Sequence, residues 1–224
     1  MDLDTIIIFG AGSNLAQQLI KKIKCKRIIC ISRNLKRTNT KKIFFFNDFF
    51  SNQKQIKKLV KRKKITALFF NNFTIDNLIL NKSNVEIKKE LNENVINVFE
   101  YSKAIAEIMI ENQFGRLIYF GSSRALSSDI GISGYSISKN ALIGMMKSFS
   151  KEFSRYNITS NCISLGFFKS PLFSKIDEKI KKKMLSRCTI KNLGDIESIN
   201  NAIYFVTNSK YLTGSTLFLD GGYE

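Results

Sequence analysis

Thr5-Ile6-Ile7-Ile8-Phe9-Gly10-Ala11-Gly12-Ser13-Asn14-Leu15-Ala16 is the stretch on which the fold turns. A short β-branched and aromatic run over 5–9 stops at a glycine, and a helical pattern opens at residue 14. A strand feeding through a Gly-rich turn into a helix puts backbone N–H groups at a helix start, where they can hold a pyrophosphate. Gly10 and Gly12 allow the tight turn and close backbone approach. Asn14 falls where such loops often need positive φ, which Asn tolerates best after Gly. Ala16 is small enough for helix and strand to pack closely. The plain alternative is a Gly-rich turn with no ligand; the strand before it and the helix after it favour phosphate binding.

The pattern repeats outward from this unit. Nearly continuous apolar runs at 5–9, 27–31, 43–46, 65–70, 116–120 and 158–163 read as buried strands, with a last strand near 215–219. Helical stretches at 14–22, 51–64, 83–112, 135–156 and 195–208 lie between them. Parallel strands need such crossovers. The expectation is an α/β, three-layer, doubly wound Rossmann fold with a mostly seven-stranded parallel sheet, in one domain spanning 1–224. Ligands in that architecture bind beyond the carboxyl ends of the strands.

Composition agrees with a folded domain and excludes several classes. Hydrophobic residues make up 44% of the 224, with 12 Gly and a single Pro, so collagen-like and linker-dominated chains are excluded. His is absent and the four Cys form no C-x-x-C pair, so zinc sites and His-based nucleophile systems are not expected. No apolar stretch is long enough for a membrane span, and the acidic opening Met1–Thr5 does not resemble a secretory signal. A reduced, cytoplasmic protein without a metal is expected. The net charge of +18 suggests a polyanion partner, but Lys outnumbers Arg 28 to 8. The abundance of Lys, Asn, Ile and Phe follows A/T-rich codons, and phosphate readers favour Arg. Solvated lysines are the better account of runs such as Lys61-Arg62-Lys63-Lys64, and no nucleic-acid partner is expected. The field still attracts an anionic cofactor.

After the second strand comes Ile31-Ser32-Arg33-Asn34. No acid stands there to hold ribose hydroxyls, and an Arg can pair with a 2′-phosphate, so NADP(H) is favoured over NAD(H), with Ser32 and Arg33 beside the adenosine ribose. Asp48 can meet the adenine or cap the following segment. Tyr135 and Lys139, four residues apart, share one helix face, where an ammonium can favour the phenolate. They follow the strand 116–120 and the loop Gly121-Ser122-Ser123, so a hydroxyl and the phenol can meet at one carbonyl.

With these pieces the chain resembles the short-chain dehydrogenase/reductase family, in particular its 3-oxoacyl-carrier-protein-reductase-like branch. The resemblance also draws on Asn71-Asn72, Gly115-Arg116, Asn161, Leu212-Thr213-Gly214 and Leu219-Asp220-Gly221-Gly222. It implies a catalytic set of Asn94, Ser122, Tyr135 and Lys139. Ser123 is the fallback for Ser122, and Asn92 and Asn97 compete with Asn94. Tyr135 would protonate the substrate oxygen, Lys139 would lower its pKa and bind the nicotinamide ribose, Ser122 would hold the carbonyl, and Asn94 would support a relay water. The cofactor-binding set is Gly10, Gly12, Ser13, Asn14, Leu15, Ser32, Arg33, Asp48, Asn71, Tyr135, Lys139, Gly166 and Phe168. Departures from the family pattern are Phe9 for Thr, Asn14 and Ala16 for Gly, Phe73-Thr74 for Ala-Gly, and Leu165-Gly166 for Pro-Gly, with Ser170 standing for a nearby Thr.

The implied reaction is hydride transfer between a nicotinamide and a carbonyl or hydroxyl, in the direction of ketone reduction. A flap at 172–193 would cover the substrate, and its lysines at 175, 179 and 181–183 suit an anionic or carrier-linked substrate or are simply solvated. Glu111-Asn112-Gln113-Phe114 stands where carrier-binding relatives are basic, so a keto-sugar or nucleotide-sugar reductase of glycan synthesis is the alternative. A non-catalytic dinucleotide sensor is the alternative of another class. A dimer or tetramer through the long helices is expected.

Overall fold

The computed structural model describes residues 3–33, 39–174 and 176–224. Asn34 of the Ser32-Arg33-Asn34 motif and Lys175 of the expected flap lie outside the described residues. In chain order the first half runs β1 (Leu3–Phe9), α1 (Asn14–Lys22), β2 (Cys25–Ile31), β3 (Ile43–Phe46), α2 (Gln53–Val60), β4 (Ile65–Phe69) and α3 (Asn84–Leu91). A π-helical turn, Asn92–Ile96, joins α3 to α4 (Asn97–Glu111). Then come β5 (Gly115–Ser122), α5 (Ser123–Leu126), α6 (Ser133–Glu152), β6 (Ile158–Leu165), α7 (Pro171–Ser174), α8 (Glu178–Leu185), α9 (Ile196–Asn208) and β7 (Thr216–Leu219).

The seven strands form one parallel sheet in the order β3-β2-β1-β4-β5-β6-β7. Successive side chains of a strand point to opposite faces, so β1 sends Ile7 and Phe9 into one core and Ile6 and Ile8 into the other. Both faces are buried, which is why the strands read as continuous apolar runs. Phe9, Phe69 and Tyr119 lie in one cross-strand row over β1, β4 and β5. Their rings stack at 4.9 Å, and Tyr119 donates a hydrogen bond to Ser102 Oγ at 3.0 Å. This aromatic row floors the carboxyl ends of the central strands, where strand order reverses between β1 and β4.

Three expected helices differ from the observed ones, that expected over 135–156 running from Ser133 to Glu152 before a separate 3-10 turn at Ser154–Tyr156. The stretch 83–112 is divided by the π turn; it starts at a capping box in which Ser83 Oγ accepts from Glu86 N–H while Glu86 Oε2 accepts from Ser83 N–H. The helix expected over 51–64 ends at Val60, because Asn112 reaches across to accept from Arg62 N–H and donate to the carbonyls of Val60 and Lys63. Arg62 there adopts a positive φ of 57°. Among the described residues, no helix is long and apolar enough to cross a membrane.

Candidate active site

A cavity of about 630 Å³ opens at the carboxyl ends of β1, β4 and β5, within the range usual for small-molecule sites. Its walls include Gly10, Gly12, Ser13, Asn14, Leu15, Ser32, Arg33, Asn71, Asn94, Ser122, Tyr135, Lys139 and Gly166, which brings together most of the residues singled out from sequence. Asp48 and Phe168 do not line it.

At one end is the loop. Gly10 has φ +73°, and a Cβ there would lie 2.9 Å from the backbone carbonyl of Phe70, so the turn needs glycine twice over. The amides of Gly10 and Ala11 both donate to the Ile31 carbonyl. Ser13 caps α1, its hydroxyl accepting from Ala16 N–H at 3.3 Å. The N-terminus of α1 therefore faces the cavity. Asn14 does not have the positive φ expected of it: it is the first residue of α1, and Ser13 before it is extended with φ −66°. The turn is completed at Gly10, leaving no left-handed conformation for Asn14 to supply.

Beyond β2, Ser32 and Arg33 lie on the wall as expected, but Arg33 is not free. Its two terminal nitrogens donate to the carboxylate of Glu93 at 2.8 and 3.1 Å, across the mouth of the cavity. Asp48 is used as a cap, accepting from the amide and hydroxyl of Ser51 at 2.7 and 2.9 Å. Its hydrogen bonding matches the capping alternative rather than the adenine. Phe168 is buried against Gly194 and lines a second cavity of about 250 Å³. The parallel bridge it forms with Gly194 turns it away from the first, which corrects its assignment to cofactor binding. Gly166 does reach the first cavity, packed so closely on Asp220 that a Cβ would meet its backbone at 2.6 Å.

At the other end stand the proton-handling residues. Lys139 is 2% exposed, and its Nζ donates to the carbonyls of Asn71 at 2.8 Å and Phe120 at 2.9 Å. It lies 5.6 Å from the centre of the Tyr135 ring. Burial drives its pKa down from 10.5 to about 8, with Cys162 opposing. The Tyr135 phenol is shifted up from its ordinary value near 10, again by burial; the adjacent Ser122 hydroxyl and the Arg124 charge pull it back, and Asp76 adds to the rise. The phenol therefore lies above its ordinary value, with burial the largest cause, rather than below it as the resemblance implied. The ammonium is anchored on carbonyls, and the Tyr135 side chain is partly buried on the cavity wall. Ser122 lines the cavity, whereas Ser123 is turned beneath it, bonded to Asp220 and Ser164, so the geometry separates the two candidate hydroxyls.

Asn94 is fully buried and lines the cavity; Asn92 is exposed, and Asn97 donates to Glu93 Oε2 at 3.4 Å. The Asn94 carboxamide accepts from Phe73 N–H at 2.9 Å and donates to Phe73 O at 2.6 Å. These two bonds tie the side chain to the backbone after β4. Asn94 sits in the π turn, a feature often found at functional sites. Glu93 was not legible as a site residue, since its partner Arg33 is 60 residues away, and the Lys82–Glu90 pair was not legible because no regular helix or strand spacing joins it to Ile75.

The cavity fits a dinucleotide on its own terms. A helix N-terminus and glycine-bounded loop stand at one end, and Asn71 Oδ1 on the wall is buried without a hydrogen-bond partner. The family model described as Enoyl-(Acyl carrier protein) reductase matches residues 51–224. The chain belongs to the short-chain dehydrogenase/reductase family. It is 31% identical to a 3-oxoacyl-[acyl-carrier-protein] reductase FabG of Buchnera aphidicola subsp. Schizaphis graminum, over 97% of this chain and 96% of the relative. It is 30% identical to the protein of that name from Escherichia coli K12, over 66% of this chain and 62% of the relative. A solved short chain dehydrogenase from Leptospira borgpetersenii, with bound NAD+, shares the fold at a TM-score of 0.83 and 18% identity, covering 99% of this chain and 93% of its own. This short-chain dehydrogenase/reductase is therefore an oxidoreductase acting on CH–OH/C=O groups with a nicotinamide dinucleotide.

Proposed function

We propose that this protein is an NADPH-dependent ketone reductase acting on 3-oxoacyl-type substrates, including carrier-linked ones. The observation that carries the reading is the convergence of Ser122, Tyr135 and Lys139 on one end of a cavity whose other end is the Gly10–Ser13 loop. Two hydroxyls meeting at one point suit a substrate oxygen rather than a carbon–carbon double bond. The relatives named as 3-oxoacyl reductases support the same chemistry.

In this reading Tyr135 is the general acid. Its raised pKa keeps it protonated at neutral pH, as reduction requires. Ser122 orients the carbonyl. Lys139, charged below about pH 8, stabilises the phenolate as the proton leaves. Asn94 holds the backbone at Phe73, and with it that part of the cavity wall. A bound nicotinamide supplies the hydride. The pyrophosphate would rest on Gly10, Gly12 and Ser13, and Asn71 Oδ1 would gain a donor from the ligand. Preference for NADP(H) rests on Arg33, which would exchange Glu93 for the 2′-phosphate.

The chain acts as one catalytic unit, with the segment around α7 and α8 as the substrate flap. It works in the cytoplasm as a homo-oligomer, joined through the long helices α4 and α6, on which Phe99 and Ile137 are exposed. Sedimentation as a monomer would refute that association. The reading of function is tested by NADPH and NADH oxidation against a panel of ketones. Tyr135→Phe should lower turnover on the order of 10²–10⁴-fold while NADPH binding is retained. Full turnover in that variant would remove Tyr135 as the acid.

A further inference from the structure

The segment 71–76 leaves β4 and pairs with no strand, yet buried side chains grip its backbone at every second residue. Lys139 Nζ donates to the carbonyl of Asn71, Asn94 Nδ2 to that of Phe73, and Lys82 Nζ to that of Ile75. The amides of Phe73 and Ile75 donate to Asn94 Oδ1 at 2.9 Å and Glu90 Oε1 at 2.7 Å. Alternate residues of an extended chain present their polar groups the same way, so this strap is bonded like a strand whose neighbour is a column of side chains.

The far member of the column is an ion pair. Lys82 Nζ lies 2.7 Å from Glu90 Oε2, and the side chains are 3% and 0% exposed. Burying two charges is expensive, and a packed apolar pair would serve stability as well or better. What an apolar pair would not do is hold both the amide and the carbonyl of Ile75. Glu90 also touches the helix that carries the acid: a Cβ on Gly134 would lie 1.8 Å from Glu90 Oε2, so the carboxylate packs on the backbone immediately before Tyr135. Neither residue lines the cavity.

We propose that Lys82 and Glu90 are positioning residues for the reduction. Their buried pair sets the register of the 71–76 strap, and thereby the carbonyl that anchors Lys139 and the first turn of α6 that aims Tyr135. This rests on the assignment of Tyr135 and Lys139 as the proton-transferring pair.

The test compares the full-length chain with Glu90→Gln and with the double variant Lys82→Met/Glu90→Leu. The double variant carries no orphaned charge but strands the Ile75 amide and carbonyl, so it should fold with a melting midpoint on the order of a few °C below that of the wild type. Its kcat should nevertheless fall on the order of 10²-fold, by more than the KM for NADPH rises. A double variant with wild-type kcat would make the pair merely structural and overturn the proposal. If the double variant does not fold, Glu90→Gln serves: it keeps the side chain's shape and the acceptor for Ile75 but removes the charge that holds Lys82 on the Ile75 carbonyl, so kcat should fall there too, and an unchanged kcat is equally fatal. Hydrogen exchange supplies a readout independent of activity. The Phe73 amide should lose protection in the folded variants although its own partner Asn94 is intact, and retained protection would also overturn the proposal. A wild type that reduces no ketone would sink the proposed function, whereas an active wild type with undisturbed variants would sink only the positioning role.

Discussion

Lys139 shows most directly how burial and hydrogen bonding divide a residue's tasks. Its ammonium is held in a dry place by the carbonyls of Asn71 and Phe120, and its pKa is depressed to about 8. In the unfolded chain the same amine titrates at about 10.4. Between those values the unfolded state binds more protons than the folded one, so stability rises with pH across that window. Below about pH 8 the burial of the charge costs roughly 3 kcal/mol. Lys139→Met removes that cost but strands two carbonyls, at about 1–3 kcal/mol each, so the variant should lie within a few kcal/mol of wild type at pH 7. Urea midpoints at pH 7 and 9.5 should show the wild type gaining relative to Lys139→Met as pH rises; parallel curves would contradict the burial argument. For activity the sign is opposite. Ketone reduction should weaken as pH rises through about 8 and the ammonium is lost, which a kcat/KM profile from pH 6 to 10 will show.

Among the elements, the β1–loop–α1 unit was legible because each part announces itself locally: the apolar run, the glycines, and the Ser13 cap. Gly10→Ala would force a side chain into positive φ and against the Phe70 backbone. It should destabilise by more than about 1 kcal/mol and abolish NADPH binding, measured by fluorescence titration. The capping box of α3 was not foreseen, yet it is the local device that starts the helix carrying Glu90. Ser83→Ala should cost about 1 kcal/mol in a urea melt, with turnover retained at saturating substrate. The π turn at Asn92–Ile96 escaped the reading of 83–112 as one helix, because a single extra residue scarcely disturbs a 3.6-residue pattern. Its effect is large nonetheless: Asn94 is buried in the cavity wall while Asn92 is exposed. Helix ends were likewise hidden where a distant side chain made them, as Asn112 does for α2.

At the scale of the whole molecule, the cavity is made by strand ends remote in sequence, so ligand binding and global stability are linked. NADPH at about a hundredfold over its Kd should add ~2.7 kcal/mol, raising the melting midpoint by about 5–10 °C. Gly10→Ala should show no such shift, and a shift that survived it would place the ligand elsewhere. The net charge of +18 assists capture of a phosphorylated ligand and should make that affinity fall with salt. From the linear order of residues alone come the alternation of strands and helices, the phosphate-type loop and the Tyr135/Lys139 pair, since all are set by neighbours within a few positions. Tertiary packing alone decided that Glu93 takes Arg33, that Phe168 turns away, and that Lys82 and Glu90 brace the strap; the preference for Ser122 over Ser123 is already made from sequence. The division is physical. Propensity, periodicity and capping act over single turns, whereas burial and the pairing of buried charge depend on which distant segments the sheet order brings together.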